Sequence, residues 1–144
     1  MKISQIMKSP AVSVELDDPL KLVEEIFEGA GFRHLLVCDS EILVGVISER
    51  DLLRAISPYV HTHVYTTRDL ATLNQRVHQI VKRQPHHLSA DASVGDAVRL
   101  FNANRIGCTP VVDESRKPVG IVTRSDILRA LDTQGITAAL DKVS

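Results

Sequence analysis

The sequence lacks an excess of charge of either sign, because its 17 Lys and Arg residues are matched by 18 Asp and Glu residues. There is therefore no basic field to attract nucleic acid or an anionic membrane. No apolar run approaches the roughly 20 residues of a membrane span, and the start has no apolar region typical of a signal peptide. We expect a cytoplasmic protein with no nucleic acid partner and no membrane partner.

Cysteine is also scarce. Cys38 and Cys108 lie in apolar runs without a Cys-x-x-Cys pair, which is typical of buried, reduced thiols. His61 and His63 are two positions apart, with no Cys or carboxylate partner nearby in the sequence, and this favours a solvated loop over a metal site. No nucleophile–base pair and no glycine-rich phosphate loop recurs in a catalytic constellation. The sequence predicts neither an enzyme nor a metal protein.

What the sequence does contain is a duplication. Residues 44–56 and 119–131 share one pattern: a glycine opens a short apolar run, a hydroxyl residue closes it, an aspartate follows three positions later, and a helix-forming segment comes next. Before this motif the two halves are offset by 74 positions, as in Asp39 and Asp113 (113 − 39 = 74), and within the motif by 75. One extra residue in 114–119 explains the change, since turns tolerate insertions.

Each half predicts the order β-α-β-β-α. In the first half we expect a short helix at 3–8, an extended segment at 12–14, a helix from 17–19 to about 30 with an Asx cap and a proline in its first turn, strands at 35–38 and 42–47, and a helix capped by Ser48. In the second half we expect an extended segment at 87–89, a Ser93-capped helix to 104, strands at 109–112 and 118–122, and a helix at 124–132. From residue 68 an amphipathic pattern predicts a helix that runs into the second half. The nearly all-apolar strands are typical of sheets covered on both faces.

The repeated motif has two interpretations. Ser48 with Asp51, and Thr123 with Asp126, fit the capping box of a helix start, which is a purely structural role. The same geometry also presents free N–H groups and the positive end of the helix dipole to an anion. The hydroxyl can donate to a phosphate or ribose oxygen, and the carboxylate one turn later can accept from two ribose hydroxyls. The four-residue pattern alone leaves both interpretations open.

The pattern Gly-h-h-Ser/Thr-x-x-Asp-h-Leu, where h is apolar, follows an apolar strand that ends in Asp and occurs twice. In this it resembles the cystathionine β-synthase (CBS) domain family, and residues 108–113 with 119–131 are very close to the family pattern. The resemblance divides the chain into a first CBS repeat (1–57), a connecting loop and start of a linker helix (58–74), a second CBS repeat (75–132) and a C-terminal tail (133–144). It implies a mixed α/β (α+β) fold of two pseudo-symmetric repeats, with small sheets packed together, helices outside and two clefts.

The resemblance also implies two unequal nucleotide sites. The preferred site would consist of Pro85, His86, Ile106 and Ile121 around adenine, Thr123 and Asp126 at the ribose, and Arg33 and His34 at the phosphates. The weaker site would consist of Ala11, Val12, Phe32, Val46, Ser48 and Asp51. Residues facing its phosphates would be Gly107 and Cys108, which supply no charge, whereas Arg33 is a permanent cation suited to phosphate.

From these residues we expect a non-catalytic sensor that binds AMP, ADP or ATP as a regulatory ligand, with or without magnesium, and that requires no cofactor. By the same resemblance it would form a homodimer and signal through a conformational or dimer change to a separate effector protein. The alternative function is a structural homodimerisation module with vestigial, unoccupied clefts.

Overall fold

The structure, a computed structural model, describes residues 1–30 and 33–135. The chain forms two compact units. The continuous unit is Val12–Gln84, and the discontinuous unit combines Met1–Ala11 with the chain from Pro85 onward. Phe32 and most of the predicted tail lie outside the described residues.

The continuous unit contains a four-stranded sheet in the order β1 (Ser13–Glu15), β2 (His34–Asp39), β3 (Ile42–Ser48) and β4 (Lys82–Arg83). Strand β1 pairs parallel with β2, and the other pairs are antiparallel. Its helices are α1 (Leu20–Ala30), α2 (Glu49–Ala55) and α3 (Thr67–Ala71), with 3-10 turns at Thr72–Asn74 and Val77–Gln79.

The discontinuous unit contains a three-stranded sheet in the order β5 (Leu88–Ser89), β6 (Cys108–Val112) and β7 (Pro118–Thr123). Strand β5 is parallel to β6, and β6 is antiparallel to β7. Helices α4 (Val94–Asn104) and α5 (Arg124–Gln134) complete it, together with a 3-10 turn at Ile3–Gln5. Lys8 forms an antiparallel bridge with Ile121 of β7, in the same way as Lys82 of β4 pairs with Val46 of β3. The mixed α+β architecture agrees with the prediction.

Each unit has its own core, and the two cores use equivalent positions of the duplication. The continuous core consists of Val14, Leu20, Val23, Phe27, Leu35, Val37, Ile47, Leu52 and Val77. The discontinuous core consists of Ile3, Val94, Ala97, Phe101, Val111, Val122 and Ile127. Along α1 the buried side chains recur at the spacing of one helix face, which is why this segment is helical.

The leading segments of the two sequence repeats are exchanged between the units. Ile3 begins the first repeat but is fully buried in the discontinuous core, where its N–H donates to the Ala92 carbonyl at 2.8 Å. Val77 begins the second repeat but is fully buried in the continuous core, where its N–H donates to the Asp18 carbonyl at 2.9 Å. The spatial units and the sequence repeats therefore divide the chain differently.

Two predicted helices differ from the structure. The linker helix expected from residue 68 is interrupted, because Gln75 is extended (φ −58°, ψ 150°). Its carbonyl accepts from the Leu20 N–H at 2.8 Å, and its side chain donates to the carbonyls of Ala55 and Thr72 at 3.0 Å each. The helix expected at 3–8 is only a 3-10 turn over Ile3–Gln5, because the chain must extend for Lys8 to pair with Ile121.

The predicted helix caps at Ser48 and Ser93 are confirmed, since each hydroxyl accepts an N–H of the first turn at 3.0 Å. Asp18 precedes α1, and its carboxylate accepts from the Glu15 N–H at 2.8 Å, closing the turn before that helix. Within the described part of the chain, no helix is long and apolar enough to cross a membrane.

Candidate functional site

The centre of the preferred predicted site is the junction of β7 and α5. Thr123 is extended (φ −124°, ψ 168°), and its side-chain oxygen accepts from the Asp126 N–H at 3.3 Å. In return, Asp126 Oδ2 accepts from the N–H of Thr123 at 2.8 Å and from its hydroxyl at 3.0 Å. The capping box of the sequence prediction is therefore formed, and it occupies one oxygen of the aspartate.

The second oxygen of the same carboxylate meets two cations. Asp126 Oδ1 lies 3.3 Å from Lys8 Nζ and 3.1 Å from Arg129 Nη1. The Asp126 side chain is 0% exposed, while those of Lys8 and Arg129 are 51% and 61% exposed. A buried carboxylate is costly unless it is paired and hydrogen-bonded, so the two cations stabilise it. Both cations reach Oδ1 with side chains that are more than half exposed.

Lys8 reaches Asp126 because the Met1–Ala11 segment runs directly over Gly120. The N–H of Lys8 donates to the Ile121 carbonyl at 2.9 Å, and the N–H of Ile121 donates to the Lys8 carbonyl at 3.0 Å. A Cβ at Gly120 would lie 2.7 Å from Met7 Sδ and 2.8 Å from the Lys8 oxygen. The glycine of the duplicated motif is thus explained by close backbone approach.

The Ser48 copy repeats this arrangement more loosely. Asp51 Oδ2 accepts from the Ser48 N–H at 2.9 Å, and Lys82 Nζ lies 3.9 Å from Asp51 Oδ1. The Asp51 side chain is 17% exposed, so its charge remains partly solvated. Gly45 again admits the passing segment, since a Cβ there would lie 2.7 Å from the Lys82 oxygen. The two copies have the same capping box, nearby lysine and glycine, but they differ in how deeply the carboxylate is buried and how closely it is paired.

The residues predicted around adenine belong to the same unit as Thr123. The His86 carbonyl accepts from the buried Thr109 hydroxyl at 3.0 Å, which holds the exposed His86 beside the start of β6. Ile121 lies two positions before Thr123 on β7, and its partner on β6 is Pro110. Pro85, Ile106 and Ile121 are all half-buried. The register therefore brings the predicted adenine and ribose residues to one end of this sheet.

Arg33 and His34 belong to the continuous unit. The Arg33 carbonyl accepts from the Glu49 N–H at 2.9 Å, and His34 is paired with Ser48 in the sheet. Burial lowers the pKa of His34, the nearby Asp51 carboxylate opposes this shift, and Arg33 adds to it. The structure thus places this pair beside the Ser48 motif of their own repeat, and their role at the phosphates of the other site stays a prediction.

Position 108 is the equivalent of position 34 in the other unit. Cys108 is paired with Thr123 in the sheet, and burial raises the pKa of its thiol to about 11. Near neutral pH this side chain carries no charge, in agreement with the expectation from the sequence. Of the other residues predicted for the weaker site, Val12 and Val46 lie in the continuous unit, and Ala11 lies in the discontinuous one.

Sequence reasoning missed the cations at the two carboxylates. Lys8 and Lys82 are 74 positions apart (82 − 8 = 74), which is the offset of the duplication and could have indicated a shared role. Arg129 lies one turn after Asp126 in α5, a spacing at which helix side chains meet. The pattern at 3–8 predicts a helix, and so it gives no sign that Lys8 extends beside β7.

His61 has a carboxylate partner that is distant in the sequence, although its side chain is 64% exposed, as expected for a solvated loop. Its Nε2 atom lies 3.0 Å from Glu24 Oε1. Glu28, which lies in α1 like Glu24, is close enough to both side chains to complete a group that could hold a metal ion. The signal was absent from the local sequence because the partners are 37 positions apart.

Proteins of known family and structure are similar to this chain in sequence and in fold. The CBS domain family model matches residues 3–58 and 77–133. A CBS domain-containing protein of Dictyostelium discoideum is 28% identical over 131 residues, which cover 90% of each chain. Relatives differ in length, and this chain spans 27% of one and 90% of another.

Two solved structures share the fold. The CBS domain pair of protein MJ0100, in complex with 5′-methylthioadenosine and S-adenosyl-L-methionine, has a TM-score of 0.75 and 24% identity, over 92% of this chain and 96% of that one. The cytosolic domain of the Mg²⁺ channel MgtE, in complex with ATP, has a TM-score of 0.72 and 25% identity, over 90% of this chain and 48% of that one. With two family matches across a duplicated strand–helix motif, the chain belongs to the CBS domain family as a tandem pair.

Proposed function

We propose that this CBS domain pair is a non-catalytic regulatory module that binds AMP, ADP or ATP through Thr123 and Asp126. The observation that carries the proposal is that the two oxygens of the buried Asp126 carboxylate have different partners. Oδ2 is held by the capping box, whereas Oδ1 is held by the exposed side chains of Lys8 and Arg129. The ribose hydroxyls would replace these cations at Oδ1 and leave the helix cap intact.

The displaced cations suit an anionic ligand. A nucleotide brings negative phosphates together with its ribose, so Lys8 and Arg129 can exchange one anionic partner for another. Adenine would lie against Pro85, His86, Ile106 and Ile121, as the family resemblance implies. On the same basis Arg33 and His34 are assigned to the phosphates.

A regulatory output follows from where Lys8 is located. It belongs to the Met1–Ala11 segment, which is bound to the body of the unit by the backbone bridge at Ile121. A ligand that removes Lys8 from Asp126 weakens the attachment of this segment. Binding shifts such an equilibrium only as far as the ligand prefers one state over the other. We propose that this change, or a change in a homodimer, is transmitted to a separate effector protein.

The Ser48 site is proposed as the weaker one. Asp51 is partly exposed, and Lys82 is 3.9 Å from it, so a ribose hydroxyl gains less by replacing water there. Support for an adenosine ligand comes from the MgtE domain, which was solved with ATP and is 25% identical to this chain.

A second function, a homodimerisation module, is favoured by two exposed leucines. Leu53 of α2 and Leu128 of α5 occupy equivalent positions of the duplication and are 63% and 64% exposed. In such a dimer, these two apolar side chains would be covered by the partner. This function predicts a stable dimer that no nucleotide alters.

Calorimetric titration distinguishes these functions. AMP, ADP, ATP and S-adenosylmethionine are titrated, with and without magnesium, into the wild type, Asp126→Asn, Asp51→Asn and Arg33→Ala. We expect Asp126→Asn to weaken the tightest nucleotide about 10- to 100-fold, because hydrogen bonds to a charged acceptor are worth roughly 1.5–3 kcal/mol. Asp51→Asn, the matched control, should weaken it much less. Equal losses in the two variants would refute the preference, and no binding by the wild type would refute the nucleotide function.

A further inference from the structure

A second cluster of polar side chains lies in the continuous unit, away from the duplicated motif. Glu24 and Glu28 are four residues apart in α1, so they share one helix face. His61 comes from the loop between α2 and α3. One ligand atom from each of the three residues lies within 4.8 Å of the other two.

The loop holds His61 in place beside the helix. Its neighbour Val60 is 6% exposed and anchors the loop in the protein. On the other side, both the N–H and the hydroxyl of Thr62 donate to the Tyr59 carbonyl, at 3.0 and 2.8 Å. His61 therefore lies within a hydrogen-bonded turn, and its Nε2 atom is 3.0 Å from Glu24 Oε1.

The cluster has an inner and an outer side. The Glu24 side chain is only 12% exposed and follows Val23, a fully buried core residue, whereas the His61 side chain is 64% exposed. Glu28 is exposed. A nearly buried carboxylate is stabilised by a cation or a hydrogen-bond donor. The open side of the cluster lets an ion enter from water.

We propose that Glu24, Glu28 and His61 bind a divalent transition-metal ion, with Zn²⁺ as the preferred ion. One imidazole and two carboxylates form a mixed nitrogen–oxygen set that zinc accepts, and the two carboxylates balance its charge. Ligand atoms around tetrahedral zinc are about 3.4 Å apart, as calculated from bonds of roughly 2.0–2.2 Å. Glu28, as an exposed and flexible side chain, closes the remaining gap. Three protein ligands leave a fourth position for water.

Metal binding here would fasten the loop to α1. Because the folded chain presents three ligands at once and the unfolded chain does not, bound metal stabilises the fold. The loop precedes α3 and the turns that lead to the second sequence repeat. The ion would thus stiffen the connection between the two repeats. This role is independent of any nucleotide.

The test uses untagged protein that has been freed of metal with a chelator. Zn²⁺ is titrated calorimetrically, and thermal unfolding is followed with and without Zn²⁺. We expect one ion per chain and a higher Tm with the metal. Co²⁺ as a substitute should give the visible absorption of a tetrahedral site. Affinity should fall as the pH is lowered, because protons compete with the metal ion for its ligands.

Variants then assign the ligands. His61→Ala and Glu28→Gln should each weaken Zn²⁺ binding at least tenfold, whereas His63→Ala, which changes the same loop outside the cluster, should bind like the wild type. Glu28 is exposed, so its variant folds normally and keeps the test decisive. The proposal is overturned if His63→Ala loses as much affinity as His61→Ala. It is also overturned if Glu28→Gln binds Zn²⁺ normally, because Glu28 would then not be a ligand, or if the wild type binds no Zn²⁺, because His61 and Glu24 would then be a simple hydrogen-bonded pair.

Discussion

Replacing Gly120 with alanine tests whether the passing Met1–Ala11 segment stabilises the discontinuous unit. The new Cβ would lie 2.8 Å from the Lys8 oxygen, a backbone atom, whereas ordinary contact begins near 3.4 Å. The segment must retreat by about 0.6 Å (3.4 − 2.8), which stretches the two bridge hydrogen bonds from 2.9 and 3.0 Å to about 3.5 Å or more. At roughly 0.5–1.5 kcal/mol per bond, the loss is about 1–3 kcal/mol. Overpacking of other protein cores costs a similar amount.

Urea unfolding and thermal unfolding, each followed by far-UV circular dichroism, measure this loss. For a chain of this size, the Tm should fall by about 4 °C for each kcal/mol. Gly29→Ala is the matched control, because Gly29 lies in α1 and a Cβ added there would meet no atom within 4 Å. This control should be neutral or stabilising by up to about 1 kcal/mol. If Gly120→Ala unfolds at the same urea concentration as the wild type, the close approach of Lys8 does not constrain the fold.

Two further predictions concern titratable groups. Burial raises the pKa of Cys108 to about 11, so only about one Cys108 thiol in a thousand is ionised at pH 8. Ellman's reagent should therefore react with Cys108 slowly until urea exposes the thiol. Fast labelling of Cys108 in the folded protein would contradict this. Burial lowers the pKa of His34, so the folded state binds this proton less tightly than the unfolded state, and stability is lost as the pH falls below about 6.5. In an NMR titration Asp51→Asn should lower the pKa of His34 further, because Asp51 opposes the shift; a rise would contradict the assignment.

The parts of the fold that follow from local chemistry could be predicted from the sequence. The cap at Ser93 starts a helix that ends at Asn104, as expected, because a hydroxyl at the helix start satisfies a free N–H whatever surrounds it. Buried positions also repeat at the offset of the duplication, since both halves bury the same helix face and strands. The Thr123–Asp126 capping box is predictable for the same reason, because its hydrogen bonds join residues three positions apart.

Features that depend on distant residues could not be predicted in this way. The helix expected after residue 68 is broken at Gln75, whose carbonyl is bound by Leu20, 55 positions earlier (75 − 20 = 55). Lys8 reaches Asp126 only through a backbone bridge to β7, and His61 meets Glu24 only after the chain has folded back. In each case local propensity or local spacing gave no information about the partner, and tertiary contacts decided the outcome.

The exchange of leading segments has a consequence for the order in which the chain folds. Lys2 pairs with Asp91, 89 positions later, and Ser9 bonds to Val119, 110 positions later, whereas Val12–Gln84 closes on itself. Contacts between distant residues carry the larger loop-closure cost and form late. On the ribosome, the Met1–Ala11 segment is made before the residues from Pro85 onward with which it packs, so the continuous unit can fold first. The Met1–Ala11 segment thus completes the discontinuous unit only after the residues from Pro85 onward have been made.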